Sequence, residues 1–322
     1  MTLDVQLADG VRLNLDLYLA SNHHHETWVK GGYLQIDKLD FISEGFLSGL
    51  MKNTTIKVGQ MENNYGDAHF RRTDNGNAVG NPFVGNLIMD AFVTEVGAEV
   101  YYQNSGIIAM GGISNAKLNQ SVTSPETTTP AILGKLGYDG EIFDDFRLRL
   151  TGSVYHTAQA KSVYLYSGDR SGSRFYNVIQ RVGADANFRA GRYSPSFKRK
   201  ITAIMFNNLL KYKSFELFST FESSSDDDIS WTQIASELIY RFGSDDRFYG
   251  GIKYNIVSGE DATAVDETVS IDRMEAGIGW FLTKNILTKV IYVNQNYNDF
   301  APTSNYEGAN FKGVTIEAAI SF

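Results

Sequence analysis

Apolar residues recur at every second position through most of this sequence, and this period restricts the secondary structure that the chain can form. A side-chain period of two belongs to β-strands, in which successive side chains point to opposite faces. The clearest case is the carboxy-terminal segment, whose apolar face consists of Val314, Ile316, Ala318, Ile320 and Phe322. The pattern predicts an all-β protein.

The faces of these segments differ in polarity in a way that indicates a membrane. In residues 11–19 a row of Val and Leu opposes Arg12, Asn14 and Asp16. In a soluble sheet the apolar face would cover a core, whereas in a transmembrane barrel it contacts lipid and the polar face lines a watery lumen. A membrane helix needs about 18 apolar residues in a row, and no stretch approaches that length. A helical membrane protein is therefore excluded.

The connections between the predicted strands alternate between short turns and long polar loops. Residues 9–10 and 144–145 form short turns, whereas 64–93 and 161–199 form long loops. This alternation is typical of outer-membrane barrels, in which the short turns are periplasmic and the long loops extracellular. The predicted strands are 2–8, 11–22, 27–38, 54–63, 94–103, 105–118, 131–142, 146–160, 200–212, 215–225, 231–242, 247–260, 269–282, 286–298 and 309–322.

We therefore predict one domain over residues 1–322, a transmembrane antiparallel β-barrel of the outer-membrane type with about 16 strands (about 14–18). The first and last predicted strands both run toward the periplasm, whereas neighbours that close an antiparallel barrel must run in opposite directions. We expect one further strand and a signal peptide upstream of Met1. A further hairpin from segments 162–170 and 174–182 would raise the number of strands to about eighteen.

The composition restricts the partners of the protein. The net charge of −8 argues against a nucleic acid, because its phosphates require a basic protein face. The 18 Tyr and 20 Phe residues fit the enrichment of aromatic side chains at bilayer interfaces. We expect contacts with outer-membrane lipid and lipopolysaccharide, and with small polar solutes or ions. A homo-oligomer and an envelope protein partner both stay open.

Two segments break the alternation. Residues 41–51 have helical spacing and are predicted to form a short amphipathic periplasmic helix. The loop 64–93 is too long to be a simple connection in a compact fold. We predict that it folds into the lumen as a constriction, where its charges would set selectivity through a focused field. The candidate constriction residues are Asp67, His69, Arg71, Arg72, Asp74 and Asn75.

A structural role is the alternative for two of these residues. Arg71 and Arg72 would then pair with lumen carboxylates such as Glu95 and Glu99 and pin the loop, and both roles can hold together. The predicted lumen-lining charges, of mixed sign, are Arg12, Asp16, Lys57, Glu95, Glu99, Lys135, Arg147, Arg149, Glu237, Arg241, Arg273 and Glu275. Further charges on the same faces are Asp139, Glu141, Glu216, Glu222, Lys253 and Glu317.

Four motifs within residues 1–120 resemble those of a known family. They are Trp28-Val-Lys-Gly-Gly-Tyr33, Lys57-Val-Gly-Gln60, the stretch 64–76 and Asn81-Pro-Phe83. Together they resemble predicted outer-membrane porins from Bacteroidota and, more distantly, the phosphate-selective porin O/P family. The resemblance implies a sixteen-stranded barrel and passive diffusion of solutes. It does not imply phosphate selectivity, which depends on a ladder of lumen arginines and lysines, because the predicted lumen face here mixes signs.

Two clusters contain residue types that bind metals. His23, His24 and His25 with Glu26 lie in a predicted extracellular loop, but adjacent residues of an extended segment point alternately, so that only two could converge. The acidic run 226–228 lacks the glycine and the terminal glutamate of a dedicated calcium loop. We interpret both clusters as exposed loop residues and predict no metal site.

Catalytic chemistry is not indicated. Asp67 and His69 lie two positions apart and could share a strand face as a base and its orienting group, but no recognisable motif places a serine beside them. There is no glycine-rich phosphate loop, zinc spacing or dinucleotide fingerprint. We predict no catalytic residue, no cofactor and no enzyme activity. The predicted function is passive diffusion across the outer membrane of a Gram-negative bacterium; the alternative is a filled barrel that serves a surface complex as a structural or binding component.

Overall fold

A computed structural model of the chain describes residues 1–20, 24–67, 78–118, 128–168, 176–180, 182–183, 189–261 and 268–321. Fifteen antiparallel strands form one sheet in chain order. The predicted all-β antiparallel architecture is confirmed. The strands are β1 (Thr2–Ala8), β2 (Val11–Ala20), β3 (His24–Ile36), β4 (Thr54–Glu62), β5 (Thr94–Asn104), β6 (Ile107–Ser114), β7 (Ala131–Phe143), β8 (Phe146–Thr157), β9 (Ile201–Tyr212), β10 (Phe215–Ser225), β11 (Ser230–Phe242), β12 (Phe248–Glu260), β13 (Thr268–Thr283), β14 (Ile286–Asn298) and β15 (Asn310–Ile320).

The two ends of the sheet differ in the length of their connections. Two-residue turns join β7 to β8, β9 to β10 and β13 to β14. The connections from β4 to β5 and from β8 to β9 are far longer and leave from the opposite end. We call these ends the short-turn end and the long-loop end. Within the described residues β1 and β15 share no ladder and run in the same direction, and the strand expected upstream of Met1 stays a prediction.

The two faces of the sheet are inverted relative to a soluble protein. On β7, Leu136 is 69% exposed, whereas its neighbour Lys135 is 3% exposed. The same alternation continues on β9, where Phe206 is exposed and Asn207 is buried. The outward face is thus largely apolar, whereas the inward face carries the charged and polar side chains together with apolar ones such as Met205 and Ile271, because the strand period of two separates the faces. This arrangement is suited to lipid outside and polar groups inside.

An aromatic belt surrounds much of the outward face at the short-turn end. The rings of Phe143 and Phe146 stack at 4.7 Å, and Phe248 lies 5.7 Å from Phe242 and 5.9 Å from Trp280. Aromatic side chains collect at the level of the lipid headgroups, so the belt indicates where one membrane interface lies. The belt residues are Phe143, Phe146, Tyr212, Phe215, Tyr240, Phe242, Phe248 and Trp280.

The helix predicted for residues 41–51 is shorter than expected. It is reduced to one turn, α1 (Ser48–Met51), which follows a series of tight turns. Gly45 at φ +73° and Leu47 at φ +53° are left-handed, and this conformation stops a right-handed helix from reaching Phe41. Across the described ranges, no helix is both long and apolar enough to cross a membrane.

Two further predictions about strands are wrong. The extra hairpin does not form in its described parts, because residues 162–168 and 176–180 contain no strand. The carbonyl of Leu165 instead accepts a hydrogen bond from the amide of Phe92 at 2.8 Å. Residues 24–26, predicted as loop, belong to β3, because His24 pairs with Ala20.

Candidate functional site

Two long connections fold back against the inward face of the sheet. The first inner segment comprises residues 63–67 and 78–93, between β4 and β5, and every residue from 81 to 95 is buried. The second inner segment comprises residues 160–168 and 189–197, between β8 and β9, and is largely buried. Buried backbone must have hydrogen-bond partners, and the inward side chains of the strands supply many of them.

Asp67 is the most strongly bound residue of the first inner segment. Its carboxylate accepts two hydrogen bonds from Arg149, at 2.8 and 3.0 Å, and one from Thr151 Oγ1 at 2.7 Å. Lys135 Nζ lies 3.3 Å from the same carboxylate and donates to the carbonyl of Gly66 at 2.6 Å. A carboxylate with this many charge-assisted donors is a fixed structural anchor.

The buried carboxylates at the start of β5 bind the same segment. Glu95 accepts hydrogen bonds from Asn63 Nδ2 at 2.7 Å and from Tyr155 at 3.0 Å. Glu99 accepts one from the amide of Asn64 at 2.9 Å. The two glutamates thus hold the segment through asparagines, a contact that the sequence analysis did not foresee.

Side chains of β11 and β12 bind the main chain of the first inner segment. The amide of Ile88 donates to Asn255 Oδ1 at 2.7 Å. Gln233 makes two bonds to Met89, accepting from its amide at 3.0 Å and donating to its carbonyl at 2.8 Å. Two neutral amide side chains therefore replace strand partners for this stretch of buried backbone.

Cations on β13 and β14 also use main-chain oxygens as partners. Lys289 Nζ donates to the carbonyls of Asn81 and Phe83 at 2.8 and 2.9 Å, and it pairs with Glu317 at 2.7 Å. Arg273 Nη1 donates to the carbonyl of Asn86 at 3.0 Å. These contacts, with Tyr249 OH on the carbonyl of Pro82 at 2.8 Å, fix the segment along the inner wall.

Glu222 on β10 joins the two inner segments. Its carboxylate accepts hydrogen bonds from Tyr65 OH at 2.9 Å, from Tyr166 OH, and from Gln233 Nε2 at 3.0 Å. Tyr65 belongs to the first inner segment and Tyr166 to the second. Burial, and then the charge of Glu222, raise the pKa of both phenols well above the ordinary value.

Charges nearer the short-turn end are more accessible. The strand register places Glu141, Arg147, Lys211 and Glu216 side by side across four strands, and of these Glu216 alone is buried. Arg147 is half-exposed and binds Asp139 through two hydrogen bonds of 2.8 Å. A cavity of about 550 Å³ lies beside Arg147 and Glu141, so both signs of charge face the space at this mouth.

The other predicted lumen charges have diverse environments. Glu237, Arg273 and Glu275 are buried, and Lys253 Nζ lies 3.1 Å from Glu275. Arg12 pairs with Asp37 at 3.2 Å, and Arg241 lies 3.7 Å from Glu216. Asp16 accepts a bond from Thr2 at 2.6 Å. Lys57 lies 4.8 Å from the Tyr33 ring centre and 5.3 Å from that of Tyr101.

Several candidates fall outside the described residues, namely His23, His69, Arg71, Arg72, Asp74 and Asn75. In the part of the chain that is described, no group of three His, Cys, Asp or Glu side chains could hold a metal ion. The acidic run 226–228 is paired with lysines, since Lys198 Nζ lies 2.7 Å from Asp228 and Lys200 binds Asp227. These pairs neutralise much of its charge.

The sequence analysis missed four of the residues that bind the first inner segment. Lys289, Gln233, Asn255 and Tyr249 all occupy the polar positions of alternating strands, so the signal was present. Three of them are uncharged, whereas the predicted lumen residues are all charged. The polarity of the inward positions, irrespective of charge, indicates all four.

Comparisons with known proteins support the fold. No protein-family model matches the chain, and no curated protein does. The anion-selective porin of Comamonas acidovorans is similar in structure, with a TM-score of 0.57, 11% identity, and coverage of 99% of this chain and 87% of that one. The outer membrane channel DcaP of Acinetobacter baumannii has a TM-score of 0.56 and 10% identity, with coverage of 100% of this chain and 83% of that one. The trimer form of OmpT, an outer membrane protein of Vibrio cholerae, has a TM-score of 0.54 and 11% identity, with coverage of 99% of this chain and 89% of that one. The chain therefore has the antiparallel β-barrel fold of outer-membrane proteins.

Proposed function

We propose that this protein is an outer-membrane porin that lets small hydrophilic solutes or ions diffuse passively across the outer membrane of a Gram-negative bacterium. The observation that carries the proposal is the inversion of the two faces. Leu136 and Phe206 point outward, while Lys135, Arg149 and Arg273 point inward. Hydrocarbon outside and a polar path inside require this distribution.

The first inner segment narrows the path in this proposal. Its described parts, residues 63–67 and 78–93, lie against the inward face, bound through Asp67 in the first part and through contacts to β11–β14 in the second. In the sequence, the candidate constriction residues 69–75 stand between these two parts and outside the described residues. We propose that charges of this connection narrow the path and select among solutes.

The accessible charges favour polar solutes without a strong preference for one sign. Glu141, Arg147 and Lys211 lie side by side at the short-turn mouth, and the buried Glu216 is next to Lys211. We propose that opposed charges orient dipolar or zwitterionic solutes there, rather than select phosphate. Membership of the Bacteroidota porins remains part of the proposal and is supported by the four sequence motifs.

The assembly and surroundings follow from the same proposal. The outward face would contact outer-membrane lipid, and the long-loop end would contact lipopolysaccharide. One structural neighbour is a trimer form, and we propose that this chain also forms a homo-oligomer. The protein would act as a channel and not as an enzyme.

A planar-bilayer conductance recording tests the proposal. We expect stepwise ion currents from the wild-type protein. A double variant, Gln233→Ala with Asn255→Ala, removes the side chains that bind Ile88 and Met89. It should show a larger or noisier conductance, because the first inner segment loses fixed contacts. The matched control is Ser219→Ala with Ser236→Ala, which removes a 2.9 Å hydroxyl pair from the outward face of β10 and β11.

A filled barrel with a structural or binding role is the second candidate. It is favoured by an apolar cluster between the inner segments and the strands, which includes Ile88, Met89, Tyr166, Phe197 and Trp231. Such packing excludes water from part of the interior. If the wild-type protein and the double variant both carry no current after insertion, the porin proposal fails and this candidate replaces it.

A further inference from the structure

An apolar surface projects from the short-turn end of the sheet between β3 and β4. Within residues 37–53, Phe41 is 60% exposed and Ile42 59%. Phe46, Leu47 and Leu50 are also exposed. Five large apolar side chains close together form the kind of patch that marks an interaction surface.

This segment has a defined backbone, so the exposure does not come from a loose chain. The amide of Ile42 donates to the carbonyl of Leu39 at 2.9 Å, and the amide of Gly45 donates to Asp40 Oδ1 at 2.9 Å. The amide of Lys52 donates to the carbonyl of Ser48 at 3.1 Å. These bonds therefore fix the backbone that carries the apolar side chains.

α1 covers the first outward position of β4. Thr54 shares its outward position with Val58 through the strand period, and Val58 is exposed. Thr54 is buried, however, and its hydroxyl donates to the carbonyl of Leu50 at 2.9 Å. α1 thus packs on the same outward face of β4 on which Val58 is exposed.

The apolar surface continues the aromatic belt. Thr54 pairs in register with Tyr102, which is exposed on the outward face of β5 at the same level. The belt from Phe143 to Trp280 covers β7–β13 at this end. On β4 the outward position at this level is Thr54, which α1 covers.

We propose that residues 40–51 form an interfacial anchor that lies in the phospholipid headgroup region at the short-turn side of the membrane. The apolar side chains insert at the boundary of the acyl chains, as in membrane-surface amphipathic segments. Lys52 follows the segment and is exposed, so that its ammonium group can reach a lipid phosphate. The inference rests on the membrane placement of the proposed function, but not on an open pore.

Fluorescence quenching at single labelled cysteines tests the anchor, because the chain contains no native cysteine. Phe46→Cys carries the probe in the segment. Phe215→Cys is the membrane control in the aromatic belt, and Asp245→Cys is the water control in another short turn. Each labelled protein is reconstituted in phosphatidylcholine vesicles, and heat-dependent gel mobility shows that the barrel has folded. Nitroxide-labelled lipid and iodide on both sides of the bilayer are the quenchers.

We expect lipid nitroxide to quench the Phe46 probe several-fold more than the Asp245 probe and about as strongly as the Phe215 probe. Iodide should show the reverse order. Leu50→Cys provides a second site if Phe46→Cys does not fold. Iodide quenching at both segment sites equal to that at Asp245, with Phe215 protected, would overturn the anchor and point to a soluble protein partner. If iodide also quenches the probe at Phe215→Cys as strongly as the probe at Asp245→Cys, the proposed placement of the barrel in the membrane fails as well.

Discussion

Arg149 and Asp67 meet in a buried two-point contact, with Nε 2.8 Å from Oδ2 and Nη2 3.0 Å from Oδ1. Lys135 lies beside them, so two buried cations share one carboxylate of the first inner segment. The chain thus fastens a long connection to the wall with a charge cluster that solvent hardly reaches.

Replacing that carboxylate should destabilise the barrel strongly. In Asp67→Asn, Lys135 loses the carboxylate beside it and Arg149 keeps only Asp139, at 3.0 Å. Breaking a buried ion pair costs about 3–5 kcal/mol. Equilibrium unfolding by urea in lipid vesicles measures the change in the free energy of unfolding. Asp228→Asn is the control, because its pair with Lys198 is solvent-exposed and should contribute less than about 1 kcal/mol. Equal effects of the two substitutions would contradict the anchoring role.

Gly66 should tolerate no side chain. Its φ is +70°, and an added Cβ would collide with the sulfur of Met205. Gly66→Ala is expected to lower the free energy of unfolding by about 1–3 kcal/mol and to displace Asp67. Gly111→Ala is the matched variant, because a Cβ there meets nothing within 4 Å. The same unfolding experiment compares them, and a Gly66→Ala protein as stable as Gly111→Ala would show that this turn is not constrained.

Stability should fall in alkaline solution because of two tyrosines in the inner segments. Burial and the charge of Glu222 raise the pKa of Tyr65 and of Tyr166 in the folded protein. In the unfolded chain a tyrosine loses its proton near about pH 10, so unfolding then releases protons. The two protonated tyrosines therefore stabilise the folded protein fully below about pH 10, and this stabilisation declines at higher pH. Urea midpoints measured between about pH 8 and 11 should decline less in a Tyr65→Phe, Tyr166→Phe variant. Identical slopes would refute the expectation.

The strands could be predicted because their signal is local. Leu136 and Lys135 differ in burial for the simple reason that adjacent strand residues face opposite sides. The same reasoning located the inward positions of Glu95, Arg149 and Arg273, although their role in selectivity stays a prediction. Strand ends were less accurate, as at His24, because the last pairs of a ladder depend on the register of the neighbouring strand.

The connections could not be predicted, because their conformation depends on contacts distant in sequence. Leu165 is not part of a hairpin, since its carbonyl is bound by Phe92 from another connection. The predicted helix around Phe46 is interrupted where Gly45 and Leu47 adopt left-handed conformations. Helical spacing describes which side chains share a face, and it does not reveal such interruptions.

The far half of the first inner segment is bound chiefly by its main chain. Lys289, Gln233 and Arg273 reach carbonyl or amide groups that every non-proline residue possesses. Exchanging side chains between Asn81 and Met89 would leave those bonds available. The course of this stretch along the inner wall can therefore persist while the buried side chains that it carries are exchanged.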